Sequence, residues 1–276
     1  MLLAVLGIGV VDPTTPVIRA DDAGVTRGDG CFEGIRVRTD SSGRTAPAKL
    51  DRHLARMRRS AAALEIPFAE ESWRALVDAA CAAWSGASDE AALKLVLTRG
   101  GAGFLTITPL NPDYPRQRRE GIRVITLDRG VVGDAFASAP WLLGGVKTLS
   151  YAVNMAAQRE AERRSADDAI FVSTDGWVLE APTGSVVWAL GRTLHTTPVE
   201  GTGILAGTTQ QLLFDQAETR GWHTASTRAR LDDLHAADVV WIISSVRGPV
   251  DVIELDGKSR ARRAEVDAEI RQLAGF

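Results

Sequence analysis

The chain of 276 residues is poor in the residue types that mark several large classes of protein. It contains two cysteines, Cys31 and Cys81, which excludes a disulfide framework and favours a reducing, cytoplasmic location. Its four histidines are far apart in the sequence and have no metal-ligand spacing. We therefore expect neither a zinc site nor another bound metal.

Neither charge nor apolar character is concentrated in one part of the chain. There are 32 Lys+Arg and 35 Asp+Glu residues, a net charge of -3, whereas a nucleic-acid surface or a polybasic membrane anchor needs a basic excess. No run reaches the roughly 18 uncharged apolar residues of a membrane span. The apolar start stops at Asp12 and Pro13, which favours a first β-strand over a signal peptide. We expect no nucleic acid and no membrane among the partners.

Lysine is the scarcest of the common charged residues. Only four of the 32 basic residues are lysines, namely Lys49, Lys94, Lys147 and Lys258. Arginine can neither form a Schiff base nor shuttle a proton near neutral pH, so each lysine is a candidate for such a role. Lys94 lies in a strand-like apolar run. Lys147 ends the apolar segment 141–146, and desolvation there favours the neutral, nucleophilic form of its amine.

Hydrophobic periodicity predicts a protein of the α/β (α+β) class. The first part combines strands with two helices whose apolar residues recur every three or four positions; the expected helices cover 50–65 and about 71–84, and the strands include 32–37 and 93–98. The second part is expected to contain a helix starting at about Thr208, a strand over 238–244 and a last helix over about 259–273.

A proline-rich stretch separates the two parts. Residues 108–120 hold three prolines and little apolar content, which is typical of a linker. We therefore expect an N-terminal α/β domain over 1–110, a linker over 111–120 and a C-terminal domain over 121–276.

Three features of the second part point to one cofactor. They are Lys147, Glu180 at the end of an apolar strand, and the glycine-bounded loop 203–211, which opens a helix. Pyridoxal phosphate (PLP) needs a lysine amine, a carboxylate for its pyridine nitrogen and a phosphate cradle, and a helix N-terminus can supply the cradle. By pattern alone, each feature also has an ordinary interpretation. Lys147 could be a surface lysine, Glu180 a solvated carboxylate, and the loop a helix cap without a ligand.

Several motifs occur in the order known from one family. The chain resembles the class IV aminotransferases, which are PLP enzymes of fold type IV, at five places: Gly28–Arg36, His53–Met57, Lys147–Ser150, Asp175–Gly176 with Glu180, and Gly207–Thr209. The resemblance covers essentially the whole chain. It implies an N-terminal α/β domain, a larger C-terminal pseudo-barrel domain that binds PLP, a small-molecule substrate and a homodimer.

The resemblance also implies roles for individual residues. Lys147 would be the lysine that holds the cofactor covalently and the general base. Glu180 would pair with the pyridine nitrogen. Arg56, in the His-Leu-x-Arg element, would contact the phosphate.

Further roles follow from matched positions later in the chain. Thr208 and Thr209 would donate to the phosphate at the start of their helix. Ser245 and Val246 would form a second phosphate-contacting pair, Val246 through its backbone N–H. Arg99 is similar to an arginine that binds the substrate carboxylate in some family members.

The same resemblance suggests an activity. The runs 147–154 and 27–30 look like those of 4-amino-4-deoxychorismate lyases, which release 4-aminobenzoate and pyruvate in folate biosynthesis. The form of residues 32–36 is closer to that of branched-chain aminotransferases, and the loop 180–185 lacks an asparagine often found there. The alternative is therefore a class IV aminotransferase that acts on branched-chain amino acids, D-amino acids or amines with a 2-keto acid. A PLP-binding protein with negligible turnover is a third interpretation.

Overall fold

The computed structural model describes residues 1–86 and 88–276. The chain forms two compact units, Met1–Asn111 with Val146–Tyr151, and Pro112–Gly145 with Ala152–Phe276. The domain limits expected from the sequence remain a prediction. They differ from these units in two respects: the short segment that includes Lys147 belongs with the first unit, and residues 112–120 of the expected linker belong to the second.

The first unit is built on an antiparallel sheet of six strands, in the order β2-β1-β6-β5-β3-β4. Its elements in chain order are β1 (Leu2–Val5), β2 (Gly9–Val11), α1 (Ala23–Thr26), β3 (Gly30–Thr39), β4 (Thr45–Pro47), α2 (Leu50–Ala63), α3 (Glu70–Ala83), β5 (Glu90–Thr98) and β6 (Gly103–Pro109). The two helices expected from periodicity are confirmed. Helix α2 ends at Ala63, and Glu65 takes a left-handed backbone conformation (φ 53°) before Pro67.

The two faces of this sheet have different surroundings. Side chains alternate between faces along a strand, so Glu33 and its register partner Leu95 lie on the face covered by α2. Both are fully buried. Phe32, Gly34 and Lys94 lie on the other face, where Phe32 and Gly34 are half-buried and Lys94 is exposed.

The second unit contains a larger, mixed sheet in the order β11-β10-β9-β12-β13-β7-β8. Its elements are α4 (Asp113–Glu120), β7 (Ile122–Asp128), α5 (Ala152–Arg163), β8 (Asp168–Val172), β9 (Ser185–Leu190), β10 (Thr193–Thr196), α6 (Thr208–Ala217), β11 (His223–Ser226), α7 (Leu231–Ala236), β12 (Val239–Ser244), β13 (Gly248–Leu255), β14 (Lys258–Ser259) and α8 (Ala264–Leu273). Short 3₁₀ turns occur at Pro140–Leu142 and Glu218–Arg220.

Both faces of the central strands in this sheet are buried. Trp188 of β9 packs in one apolar cluster, whereas its neighbour Val187 packs with Trp241 of β12 in another. The second cluster also holds Leu213 of α6 and Ile270 of α8. These two helices therefore cover one face of the sheet.

The expected mixed α/β class is confirmed, with one error at the end of the chain. The last helix starts at Ala264 rather than near Ser259, because Lys258 and Ser259 pair with β13 as strand β14. Within the stretch expected to be a linker, residues 113–120 form α4 with Pro115 in the first turn, where proline is tolerated. Among the described residues, no helix combines the length and apolarity needed to cross a membrane.

Two buried carboxylates of the second unit interact with each other. Asp251 of β13 and Asp267 of α8 share Arg262, whose Nε lies 3.3 Å from Asp251 Oδ2 and whose Nη2 lies 3.2 Å from Asp267 Oδ2. Trp241 Nε1 donates to Asp267 Oδ1 at 2.8 Å. Burial, together with the charge of Asp267, raises the pKa of Asp251 to about 7, and Arg262 opposes that rise.

This pair predicts a pH-dependent stability. Between the ordinary value of 3.8 and about 7, the folded protein keeps a proton that the unfolded chain releases. The free energy of unfolding should therefore fall as the pH rises through this window. The amide of Asp251→Asn does not titrate. We therefore expect this variant to lose less melting temperature than the wild type between pH 5 and pH 8, and to melt above the wild type at pH 8. Glu265→Gln, at an exposed position of α8, should keep the wild-type pH dependence; an equal pH dependence in all three proteins contradicts the prediction.

Candidate active site

Lys147 lies in the segment Val146–Tyr151, which adds to the first unit's sheet along the edge of β3 that β5 does not occupy. The Phe32 N–H donates to the Lys147 carbonyl at 3.1 Å, and the Leu149 N–H donates to the Gly30 carbonyl at 2.8 Å. The main chain from the Lys147 carbonyl to the Leu149 N–H is thus fixed to β3.

Glycines allow this close approach. A Cβ atom on Gly28 would lie 2.5 Å from Ser150 Oγ, and the backbone φ of 69° at Gly28 is itself unfavourable for other residues. A Cβ atom on Gly30 would lie 2.5 Å from the Leu97 carbonyl and 2.7 Å from Leu149 Cδ1. The Gly-x-Gly motif, uninformative by itself in the sequence, is therefore needed where the lysine segment meets β3.

The amine of Lys147 lies against aromatic rings. Its Nζ is 4.4 Å from the centroid of the Phe32 ring and 5.4 Å from that of Tyr151. The two rings meet edge to face, with centroids 5.1 Å apart and an interplanar angle of 88°. Aromatic faces attract an ammonium group and restrict access of water to it. This environment suits a lysine whose nitrogen must react with a ligand.

A buried ionic cluster lies on the opposite face of β3. The Glu33 carboxylate accepts from Arg56 Nε and Nη2, each at 2.7 Å, and lies 2.7 Å from His53 Nδ1. Glu33 and His53 are fully buried and Arg56 is 5% exposed. Burial alone would raise the pKa of Glu33, but the charge of Arg56 and the hydrogen bonds from Arg56 and His53 lower it to about 2. Burial is the largest effect on His53 and lowers its pKa, so its imidazole favours the neutral form.

Helix α2 carries residues that contact both this ionic cluster and the Lys147 backbone. Ser60 lies one turn after Arg56 on α2, and its Oγ accepts a hydrogen bond from the Lys147 backbone N–H at 3.2 Å. Arg56 is buried and is therefore not one of the solvated arginines of this helix; it holds Glu33 through Nε and Nη2.

Arg99 is held by groups of its own unit. Its Nε forms a close ion pair with Asp29, and its Nη2 donates to the Leu64 carbonyl at 2.7 Å. The Arg99 side chain is 44% exposed. The substrate-carboxylate role of Arg99 stays a prediction, and it would require the guanidinium to share or leave Asp29.

Glu180 lies in the second unit, beside β8. The Phe171 N–H donates to the Glu180 backbone carbonyl at 2.8 Å, and the Leu179 N–H donates back to Phe171 at 2.9 Å. The side chain is oriented by the Leu205 N–H, which donates to Glu180 Oε2 at 3.1 Å. The carboxylate is half-buried. This geometry suits a carboxylate that pairs with a fixed cationic N–H group.

A cluster of hydroxyl groups lies at the start of α6. Thr208 Oγ1 and Thr209 Oγ1 are 2.8 and 3.1 Å from Ser245 Oγ, and both threonines are buried, each 2% exposed. Helix α6 has ten residues, and its N-cap residue, Gly207, supplies no side-chain cap. A Cβ atom on Gly207 would lie 2.3 Å from Ser185 Oγ. Three hydroxyl groups and the N–H groups of a helix start therefore meet in one place, as in an anion-binding site.

Val246 follows Ser245 in the turn between β12 and β13. The Val246 carbonyl accepts from Arg118 Nη2 at 3.0 Å, which fixes the turn from the α4 side. The neighbouring Arg247 is buried and pairs with Asp168 at 2.6 Å. The backbone of Val246 is thus held next to the hydroxyl cluster, while its apolar side chain adds no donor.

The predicted residues therefore divide between the two units. Lys147, Arg56 and Arg99 belong to the first unit; Glu180, Thr208, Thr209, Ser245 and Val246 belong to the second. Over residues 1–86 and 88–276, no group of three or more His, Cys, Asp or Glu side chains is placed to hold a metal ion.

The sequence interpretation missed three groups around Lys147 and Arg56. Phe32 and Tyr151 were assigned no role, although an aromatic residue four positions after a candidate lysine is visible in the sequence. Glu33 was also missed. Its signal is a charged residue at a position of β3 where alternation requires an inward-facing side chain, since Cys31 and Ile35 on either side are fully buried.

Comparison with known proteins gives one family. The model of the family "Amino-transferase class IV" matches residues 30–255. A bifunctional aminodeoxychorismate lyase / D-amino acid transaminase of Mycobacterium tuberculosis is 39% identical over 281 residues, which cover 96% of each chain.

Solved structures give the same fold. A hypothetical aminotransferase from Mycobacterium tuberculosis has been solved with PLP and also with α-ketoglutarate and PMP. The two structures are 37% and 38% identical to this chain, each with a TM-score of 0.93 and coverage of 99% of this chain and 98% of theirs. The fold IV transaminase CpuTA1 from Curtobacterium pusillum is 39% identical, with a TM-score of 0.91 and coverage of 100% and 99%.

The ionic cluster beneath β3 predicts a large stability effect. Arg56→Met would leave the buried Glu33 carboxylate without its main cationic partner, and breaking a buried pair in this way costs about 3–5 kcal/mol. We expect that loss in the free energy of urea unfolding of the cofactor-free protein at pH 7. Adding Glu33→Gln to Arg56→Met should recover part of it, because the remaining group is uncharged. Arg59→Met, at an exposed position of the same helix, should change stability by less than about 0.5 kcal/mol. A small effect of Arg56→Met would show that the cluster does not hold the fold.

Proposed function

The chain belongs to the class IV aminotransferases, and we propose that within this family it is a PLP-dependent 4-amino-4-deoxychorismate lyase that forms 4-aminobenzoate and pyruvate. The observation that carries this proposal is the 39% identity, along nearly the whole of both chains, to a protein named for the lyase and D-amino acid transaminase activities. The alternative is an aminotransferase for branched-chain amino acids, D-amino acids or amines. A D-amino acid transaminase is the favoured form of that alternative, because the same relative carries that name.

The donor groups fit the cofactor. PLP carries an aldehyde, a pyridine nitrogen and a phosphate, and when bound it supplies an electron sink for the substrate carbon that bears the nitrogen. Lys147 offers an amine held against two rings. Glu180 offers a carboxylate fixed by the Leu205 N–H. The helix start at Thr208 offers hydroxyl and N–H donors for a phosphate.

Each residue then has a limited task. Lys147 Nζ removes the proton from the substrate carbon that bears the nitrogen, and the rings of Phe32 and Tyr151 keep water away from that nitrogen. Glu180 holds a proton at the pyridine nitrogen. Arg56 would contact the phosphate, while Glu33 fixes its guanidinium through Nε and Nη2.

The hydroxyl groups of Thr208, Thr209 and Ser245, with the backbone N–H of Val246, complete the proposed phosphate site. Arg99 remains the proposed partner of a substrate carboxylate. Its guanidinium would then have to contact the substrate as well as Asp29, or leave Asp29. The family resemblance supports a cytoplasmic homodimer that acts in folate biosynthesis, and this belongs to the same proposal.

The lyase and transaminase activities differ in what Lys147 does after the first step. In both reactions it removes the same proton. In the lyase reaction the bond between the ring carbon and the enolpyruvyl oxygen then breaks and the ring becomes aromatic. The released enolpyruvate takes up a proton to become pyruvate. In transamination Lys147 must deliver a proton on the cofactor side, and a keto acid must later take up the amino group. One lysine is compatible with both activities, so product identity decides between them.

Glu180→Gln should keep the cofactor and lose most of the activity. An amide cannot hold the proton at the pyridine nitrogen, and losing an electrostatic contribution of this kind costs on the order of 3 kcal/mol, or about 100-fold in kcat. Cofactor content is measured by absorbance and kcat by steady-state turnover. Glu200→Gln, at an exposed position, serves as the control. Activity of Glu180→Gln within twofold of wild type would remove Glu180 from the proposed role.

The proposed function is tested by product identity. With saturating 4-amino-4-deoxychorismate and no keto acid, we expect steady formation of equimolar 4-aminobenzoate and pyruvate. In parallel, a panel of D- and branched-chain amino acids and amines is assayed with 2-oxoglutarate. Absence of the aromatic product together with rapid transamination would reject the lyase in favour of the alternative; absence of both activities in the PLP-loaded protein would reject the enzyme itself.

A further inference from the structure

We propose that Arg118 of α4 is a positioning residue for the cofactor phosphate, because it holds the turn 245–247 in the conformation in which that turn can donate to a phosphate. The inference rests on the proposed function in taking Ser245 and Val246 as phosphate contacts. It assigns a task to a helix that the sequence indicated only as a linker.

The turn 245–247 joins β12 to β13. On one side, Ser245 Oγ belongs to the hydroxyl cluster at the start of α6. On the other side, the Arg247 N–H donates to Ser244 Oγ at 3.2 Å and is used within the turn. The Val246 N–H lies in the planar peptide group that joins Ser245 to Val246, so its direction is set by how the backbone on either side is held.

Arg118 holds two successive carbonyl groups of this turn. Its Nη2 donates to the Val246 carbonyl at 3.0 Å, and its Nε donates to the Arg247 carbonyl. These two nitrogens lie on one edge of a planar guanidinium, so one rigid pair of donors fixes both peptide groups that follow Val246. With Ser245 anchored at the hydroxyl cluster, the clamp restricts the direction of the Val246 N–H from both sides.

Arg118 is itself oriented by groups outside the turn. Its Cζ lies 4.8 Å from the centroid of the Phe276 ring, which is a cation–π distance. The same ring packs against the start of β13, where a Cβ atom on Gly248 would lie 2.6 Å from Phe276 Cδ1. Arg271 of α8 donates through Nη1 to the Arg118 carbonyl at 3.1 Å. The position of the guanidinium therefore does not depend on its hydrogen bonds to the turn alone.

The other arginines of α4 have different surroundings. Arg116 is exposed and lies 3.4 Å from Asp113 and 3.5 Å from Glu120 of its own helix. Arg119 is exposed as well, whereas Arg118 is half-buried. The two carbonyls that Arg118 contacts are neutral acceptors, so these hydrogen bonds do not cancel its charge. A positive charge next to the turn also favours a phosphate that binds there.

The experiment compares two ligands that differ only in the phosphate. Pyridoxine 5′-phosphate and pyridoxine have no aldehyde, so neither reacts with Lys147. Both are titrated calorimetrically into the cofactor-free full chain. We expect wild type to bind the phosphate ester more tightly than pyridoxine. Arg118→Met should weaken binding of the ester about tenfold, which is the effect of one hydrogen bond to a charged group, and should leave pyridoxine within twofold.

Three further variants separate position from charge. Arg118→Lys keeps the charge but not the planar pair of donors, so it should recover only part of the lost affinity for the ester. Phe276→Leu keeps the guanidinium and removes the ring beneath it, so it should weaken binding of the ester about threefold and leave pyridoxine unchanged. Arg119→Met, at the exposed neighbouring position, should match wild type with both ligands.

A second measurement uses the loaded protein. The PLP-loaded wild type, Arg118→Met and Arg119→Met are dialysed, and the cofactor that each retains is followed by absorbance. We expect Arg118→Met to lose PLP about tenfold faster than the other two, because its phosphate contacts are less well aligned. A residue that serves stability alone would not change the preference for the phosphate ester over pyridoxine.

Three results would overturn the proposal: unchanged affinity of Arg118→Met for the ester, equal losses of affinity for both ligands in Arg118→Met, or full recovery in Arg118→Lys, which would show that charge rather than position matters. If wild type does not distinguish the two ligands, the phosphate site of the proposed function is wrong and the task of Arg118 falls with it. The titrations need no turnover, so a failed lyase assay rejects the proposed activity and leaves their result unchanged.

Discussion

The main-chain hydrogen bonds between residues 147–149 and residues 30–32 are the interaction on which the candidate site of the first unit depends. They place a segment distant in sequence on an edge of β3, and they do so only because Gly28 and Gly30 have no side chains. Once the segment is in place, the position of Lys147 Nζ over Phe32 follows from the register. A shift of one residue along β3 would present the opposite face of the strand to the lysine.

The two faces of strand β3 carry side chains of different kinds. On one face, Phe32 provides an apolar surface for amines; on the other, Glu33 is buried with Arg56 and His53. A buried carboxylate is tolerated only where its charge is matched and its oxygens accept hydrogen bonds. That requirement fixes the guanidinium of Arg56, and through α2 it also fixes Ser60, which holds the lysine backbone. The stability of the unit and the position of the candidate lysine are therefore linked.

The second unit uses neutral groups for its candidate anion site. Thr208, Thr209 and Ser245 share hydrogen bonds, so each hydroxyl can turn from its neighbours to an entering phosphate. The N–H groups at the start of α6 add a partial positive charge that favours an anion. The second unit thus contributes neutral hydroxyl and N–H donors, whereas the first unit contains a buried ion pair between Glu33 and Arg56.

Much of this could be predicted from the sequence. Periodicity predicted helices α2 and α3, because apolar residues that recur every three or four positions are typical of an amphipathic helix and of few other structures. The scarcity of lysine, together with the apolar segment before it, singled out Lys147, and motif order gave the family. Other features could not be read from local patterns: Arg56 resembles its solvated neighbours Arg58 and Arg59, and only the inward-facing carboxylate of Glu33 on a different element distinguishes it.

The sequence by itself therefore determined the fold class, the family and the residue types that carry the chemistry. Only the tertiary structure decided which charges pair with one another, that Arg99 is held by Asp29, and that Lys94 and Lys147 lie over one phenyl ring. The physical reason is the distance in sequence between the residues that interact. Helix and strand periodicity arise from neighbours within a few residues. The pairs Glu33–Arg56, Asp29–Arg99 and Phe32–Lys147 join residues 23, 70 and 115 positions apart, and these partners are fixed only when the sheet register is set.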